Sequence, residues 1–315
     1  PDERKIRVNG KEYSYDSLVL ATGSTPVMPS FEGKELKGIH TIWTLEDVAD
    51  INRSLADARK AVVIGGGLLG LEAAYKISEM GVDISLIEAM PRLLPKQLDE
   101  VGSEIFRNKV ESLDISVICG KSVAGFDGVG SSHVRKVHMA DGSFLEADVV
   151  IVAVGVAPNT SVCRDRGINM NRYLNVNEKM ETNIENIYAA GDVASVNGRW
   201  FGQWRVAGMQ GQVAGANAAG GNAVYKTDDI PYILATMGTR VVCSGDAGIL
   251  QADNSDTVYK IDRQTDKERF SYSKLVFRDG LFVGYILVGE PAKAFSKIQP
   301  LLMTDAKAAD IRKIL

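Results

Sequence analysis

Three glycines, Gly65, Gly67 and Gly70, form the spacing G-x-G-x-x-G, and one carboxylate, Glu88, stands about 20 residues further on. This set of residue types suits one kind of chemistry, the gripping of a dinucleotide. Gly65 permits a tight turn, Gly67 lets backbone approach a diphosphate, and Gly70 lets a helix pack closely on a strand. Gly66, Leu68 and Leu69 complete the loop, whose amide hydrogens face an anion at the positive end of a helix. A carboxylate at Glu88 accepts hydrogen bonds from ribose hydroxyls and repels a 2′-phosphate by like charge, so the pattern favours NAD(H) over NADP(H). Arg92, four residues beyond, places a basic group near the same end.

A glycine pattern alone is weak; its flanking elements make it specific. Ala61 to Ile64 read as a buried strand, residues 68–80 as a helix ending near Gly81, and Asp83 to Glu88 as a second strand. A helix over 45–59, with Leu45, Val48, Ile51 and Leu55 on one stripe, precedes this unit. A helix over 99–113 and strands at 115–118 and 148–155 follow it. Strands alternating with helices predict an α/β, doubly wound parallel sheet, and the near-continuous apolar strands predict a sheet covered on both faces.

The remaining segments differ. Asn9-Gly10 predicts a hairpin between 4–8 and 11–15, and 121–140 an antiparallel excursion around Gly128–Gly130. Residues 160–185 are polar and loop-rich, 186–192 a buried strand ending at Gly191-Asp192, and 204–219 a helix of small residues. Strand-period alternation over 230–289 ends in a hairpin across Arg278-Asp279-Gly280, and one helix is expected over 291–315.

Composition excludes several classes. A net charge of −4 gives no electrostatic case for nucleic acid or an anionic membrane. No apolar run reaches the ~18–20 residues of a membrane span. Cys119, Cys163 and Cys243 are far apart, with no metal-ligand spacing, and read as small buried hydrophobes in a reducing, cytoplasmic compartment. His133 and His138 read as surface residues of the excursion.

Three further segments resemble motifs of the pyridine-nucleotide–disulfide oxidoreductase flavoproteins. The run Leu18 to Pro26, with Ala21, Thr22 and Gly23 at its centre, is similar to the A-T-G motif where the chain passes the flavin. Val154 to Asn159, containing Gly155, is similar to the G-x-x-P-N return from the NAD domain, and Ile187 to Asp192 to the second flavin motif. The resemblance implies FAD and NAD(H) as cofactors, with Gly191 and Asp192 at the ribityl chain and Gly155 near the nicotinamide. It assigns Glu72 to positioning at the nicotinamide–flavin contact. It also aims the helix that begins at Trp204 at the flavin's N1–C2=O edge, where a positive end stabilises anionic reduced flavin. Trp200 and Trp204 either flank the flavin, form a partner face or pack as core.

The expected division is 1–44 and 160–222 as parts of an FAD-binding domain, 45–159 as the NAD-binding domain, and 223–315 as an α+β C-terminal interface-type domain. Gly198 to Gly221, with Trp200, Trp204 and Gln210, is similar to the NADH:rubredoxin reductase and NADH-dependent nitrite reductase branch. That branch implies an enzyme passing electrons to a small electron-transfer protein or small molecule, and admits a homodimer. With no histidine after His138, the partner-subunit His-Glu chemistry of the disulfide reductases is not expected. The family's first flavin motif has no counterpart here, and the chain reads as a fragment. Two other readings stay open: a module that only binds NAD(H), and a sensor or scaffold flavoprotein.

Overall fold

A computed structural model describes residues 4–128, 130, 132–226, 230–248 and 259–315. Along the chain run β1 (Lys5–Val8), β2 (Lys11–Ser14), β3 (Leu18–Leu20), β4 (Ser24–Pro26), β5 (Ile39–Thr41), α1 (Leu45–Leu55), β6 (Lys60–Ile64), α2 (Leu68–Ser78), β7 (Asp83–Glu88), α3 (Glu100–Glu111) and β8 (Ile115–Cys119). Then come β9 (Val123–Asp127), β10 (Lys136–Met139), β11 (Phe144–Glu146), β12 (Val149–Val152), β13 (Val156–Pro158), β14 (Leu174–Val176), β15 (Ile187–Ala189), β16 (Ala194–Val196) and α4 (Trp204–Ala218). The last are β17 (Tyr232–Thr236), β18 (Thr239–Gly245), β19 (Tyr259–Asp266), β20 (Ser271–Arg278), β21 (Leu281–Val288), α5 (Phe295–Ile298) and α6 (Ala308–Ile314). The chain divides into two compact units, one from 1–25 and 156–228, the other from 26–155 and 229–315.

The larger unit is built on a five-stranded parallel sheet in the order β5-β12-β6-β7-β8. Successive side chains of a strand point to opposite faces, and the core divides accordingly. Ala61, Val63, Ile84, Leu86, Val149 and Ile151 face one cluster, with Leu71, Ala74 and Ile77 of α2 and Ile105, Phe106 and Val110 of α3. Val62, Ile64, Ile87, Val150 and Val152 face the other. Both faces are covered, but the second is covered by the antiparallel sheet β11-β10-β9 through Phe126, Val137 and Met139, not by helices. The expected excursion is therefore the sheet's second cover, and β11 is an added strand; residues 129 and 131 lie outside the described residues.

The C-terminal part of this unit is an antiparallel sheet, β17-β18-β21-β20-β19. One face joins the helix-side core through Leu234, Val241, Tyr272, Ile286 and Val288. The other packs Val242, Leu275, Phe282 and Leu287 on Ile298 and Ile311 of the terminal segment. The single helix expected over 291–315 is corrected. A 3₁₀ turn over Glu290–Ala294, α5, a second 3₁₀ turn over Gln299–Leu301 and α6 stand in its place. Pro300 cannot donate to a helical ladder, and a loop separates the pieces. The stripe predicted on α1 is buried only at Ile51 and Leu55; Leu45 is 85% exposed.

The smaller unit holds the β1–β2 hairpin, with Asn9 and Gly10 both at positive φ, and paired strands β15–β3, β14–β16 and β13–β4 beside α4. The strand β14 lies inside the stretch expected to be loop. Among the described residues no helix is long and apolar enough to cross a membrane, and no cluster of metal-ligating side chains occurs.

Candidate functional site

The glycine loop joins β6 to α2. Gly65 sits at φ +115°, and a Cβ there would lie 2.3 Å from the Ala153 carbonyl oxygen. A Cβ on Gly70 would lie 1.9 Å from the Gly65 carbonyl oxygen, so helix and loop touch backbone to backbone. Gly67, the N-cap of α2, has no side chain to cap the first amides, and the direction of its missing Cβ is open. The first N–H groups of α2 are therefore left for an external acceptor. Leu68 and Leu69 form its first turn, with Leu69 at the surface.

Glu88, at the end of β7, turns toward this loop. Its Oε2 accepts from Gly66 N–H at 2.7 Å and its Oε1 from Met90 N–H at 2.7 Å. Each oxygen keeps a lone pair for a hydroxyl donor. Arg92 is turned elsewhere. Its guanidinium donates to the carbonyls of Leu98 (3.1 Å) and Pro95 (3.3 Å) and lines a cavity of about 230 Å³ with Glu100, Glu104, Arg107 and Cys119. Cys119 is thus half-buried at the cavity edge and packs against the helix-side core, and burial raises its thiol above the ordinary range. Cys163 and Cys243 are buried as expected.

Glu72 lies on α2 and has no hydrogen-bond or ion-pair partner among the described residues. Partial desolvation raises its carboxyl above the usual carboxylate value, although solvent still reaches it. Gly155 follows β12 at φ +107° with open space where a Cβ would point.

The smaller unit brings the other three segments together. Asn159 N–H donates to the Gly23 carbonyl (2.9 Å), Asn159 Nδ2 to the Thr22 carbonyl (2.9 Å), and Thr22 Oγ1 to the Asn159 carbonyl (2.7 Å). Ala21 and Thr22 are exposed. Ser24 Oγ donates to Asp192 Oδ2 at 2.6 Å. Gly191, at φ +78°, donates its N–H to Oε1 of Gln210, which is only 2% exposed on α4. Trp204, the first residue of α4, is 98% exposed and so is not core. Gln203, the N-cap, holds an amide nitrogen shielded from solvent with no partner among the described residues.

A profile of pyridine nucleotide-disulphide oxidoreductases matches residues 1–211. The chain belongs to that family. An assimilatory nitrate reductase electron transfer subunit of Bacillus subtilis is 32% identical over 290 residues, covering 92% of this chain and 37% of the relative. A nitrite reductase [NAD(P)H] of the same organism is 31% identical over 301 residues, covering 95% of this chain and 36% of the relative. The chain therefore spans little more than a third of these relatives. A solved NAD-dependent persulfide reductase from A. fulgidus superposes with a TM-score of 0.84 at 28% identity, over 96% of this chain and 61% of that one. This likeness agrees with the expected architecture of two dinucleotide-binding parts and an α+β C-terminal part.

Both groups expected of this oxidoreductase family fit residues present. The open side of Gly67, the uncapped start of α2 and the inward carboxylate of Glu88 fit a diphosphate and a ribose. The orphaned Gln203 amide and the fixed Asp192 carboxylate fit a polar flavin edge. Sequence reasoning singled out Asp192 but not the Ser24 hydroxyl that orients it, nor the role of Gln210. A glutamine among the small residues of α4 was the available signal.

Proposed function

We propose that this protein is an FAD-dependent NADH oxidoreductase that delivers electrons to a small electron-transfer protein or to a further redox centre of a larger reductase. The observation that carries the nicotinamide half is Glu88 Oε2 at 2.7 Å from Gly66 N–H, a carboxylate held against the diphosphate loop. In this reading the backbone amides from Gly67 onward, at the uncapped start of α2, hold the diphosphate, and Glu88 accepts from the ribose and excludes a 2′-phosphate. Glu72 and Gly155 serve the nicotinamide end. Asp192 holds the ribityl chain, and the start of α4 favours negative charge on the flavin. Bound together, the two cofactors supply hydride-transfer chemistry. Residues 1–44 and 160–222 serve the flavin, 45–159 the nicotinamide dinucleotide, and 223–315 form the C-terminal domain. The three free cysteines suit a reducing compartment, which we take as the cytoplasm.

The two relatives' names, an electron transfer subunit and a nitrite reductase, support an acceptor downstream of the flavin. The test is steady-state NADH oxidation by the FAD-loaded protein with a dye acceptor. Turnover that requires FAD is expected. A flavin-loaded protein that leaves NADH unoxidised would contradict the proposal and favour a binding or sensor role.

A further inference from the structure

Trp200 lies at the centre of a small assembly in the unit that carries Asp192. Its indole Nε1–H donates to the Asp192 backbone carbonyl at 3.0 Å. One face of the indole stacks on Tyr173, with centroids 5.2 Å apart and planes 17° from parallel. The Arg172 guanidinium lies over that tyrosine at 5.5 Å and donates to the Val156 carbonyl at 2.7 Å. At the far edge of the indole is Gly202. A Cβ there would come 2.3 Å from Trp200 Cη2, and its φ is +61°, so backbone alone fits against the ring. Gly202 is followed directly by Gln203 and Trp204, the cap and first residue of α4.

We infer that Trp200 is a positioning residue, setting the Asp192 carboxylate at a fixed distance from the start of α4. The inference rests on the proposed flavin reading and adds to it. The indole takes both ends at once: its N–H holds the backbone of Asp192, and its ring edge holds the turn that launches α4. The carboxylate itself is oriented separately, by Ser24 Oγ at 2.6 Å, and Gly191 by Gln210 at 2.8 Å. Two features assigned to the flavin, a ribityl acceptor and a helix start, thereby become one rigid element. Rigid placement of charge and dipole matters because such groups work only when preorganised. The Tyr173–Trp200 stack, braced by Arg172, supplies the rigidity, since offset-stacked aromatic pairs resist tilting. The indole N–H serves this purpose because it is a donor with no competing acceptor function.

The test compares Trp200→Phe and Trp200→Ala with wild type in the complete FAD-loaded protein. Trp200→Phe keeps a ring against Tyr173 but removes both the donor and the ring edge beside Gly202; Trp200→Ala removes all three. Loss of one hydrogen bond to the Asp192 backbone is expected to weaken FAD binding by about three- to tenfold in Trp200→Phe. The flavin's visible band should shift and its midpoint potential fall, with a drop in apoprotein melting of only about 2–4 °C from the lost hydrogen bond and ring edge. Trp200→Ala should weaken FAD binding further. NADH affinity is expected to be the same in all three. Wild type that binds FAD, beside a Trp200→Phe protein with the same FAD affinity, band position and potential, overturns the positioning role alone. A change in apoprotein melting without a change in the flavin readouts also overturns it, because the ring would then be only structural. Wild type that takes up no FAD overturns the functional reading and this inference with it.

Discussion

Glu88 and Gly66 are joined across the crevice between β7 and the glycine loop, the carboxylate Oε2 accepting the glycine N–H at 2.7 Å. The other oxygen takes the Met90 N–H at the same distance. One side chain thus ties the glycine loop to the segment after β7, and in the proposed reading it also sets negative charge against a 2′-phosphate. Glu88→Ala removes both roles. NADH affinity should fall by roughly ten- to a hundredfold, as expected for a lost charge-assisted contact. The preference for NADH over NADPH should shrink in steady-state kinetics. A preference left unchanged would mean that repulsion is not what discriminates.

Gly70→Ala should be worse than Gly67→Ala for folding and similar to it for binding. The added methyl at 70 meets the Gly65 carbonyl at 1.9 Å, and backbone cannot swing away as a side chain can. A loss of roughly 2–3 kcal/mol is expected from such overpacking. At 67 the methyl meets nothing of the protein and, in the proposed reading, would intrude on the diphosphate. Thermal melting and an NADH titration of both variants separate the effects.

How much of this was legible in the sequence depends on the distance between partners. The path from β6 through the glycine loop to β7 was readable because each requirement is local: alternation, glycine spacing and a terminal carboxylate. The second cover of the parallel sheet was not, because Phe126 and Met139 show strand alternation without naming the sheet they pack on. Leu45 and Val48 fit a helical stripe yet face solvent, since periodicity gives a face and not what lies opposite. Arg92 read as a cofactor group from its spacing, but the carbonyls of Pro95 and Leu98 hold its guanidinium. Within the smaller unit, the A-T-G, P-N and G-D segments were readable one by one. Their joining through Asn159 and Ser24 was not, because the partners lie 137 and 168 residues apart.

Asp99 is a similar case within the larger unit. It caps α3 through Gly102 N–H (3.0 Å) and also accepts from Tyr272 Oη (2.8 Å), 173 residues away, beside the Lys274 ammonium at 3.2 Å. Lys274 is only 1% exposed. Asp99→Ala leaves that charge buried without its counter-ion and should cost about 3–5 kcal/mol in a denaturant titration. Adding Lys274→Met should restore most of the loss, because the pair is then replaced by apolar packing.

Glu72 gives a pH dependence of known sign. Desolvation raises its carboxyl in the folded chain, so the folded state binds more proton than the unfolded one between the two values. Its contribution is fully present below the ordinary carboxylate range and is lost as pH rises through the raised value. Glu72→Gln should therefore melt higher than wild type at neutral pH, and the difference should vanish in acid below about pH 4. A difference that persists there would point to a cause other than ionisation.

In the proposed reading an amide-lined helix start and Glu88 together select a dinucleotide that lacks a 2′-phosphate. Isothermal titration of the folded protein with NADH and then with NADPH tests it most directly. A saturable heat with NADH, and binding at least about tenfold weaker for NADPH, is the expected result. No heat with NADH, or equal affinity for the two, would contradict it.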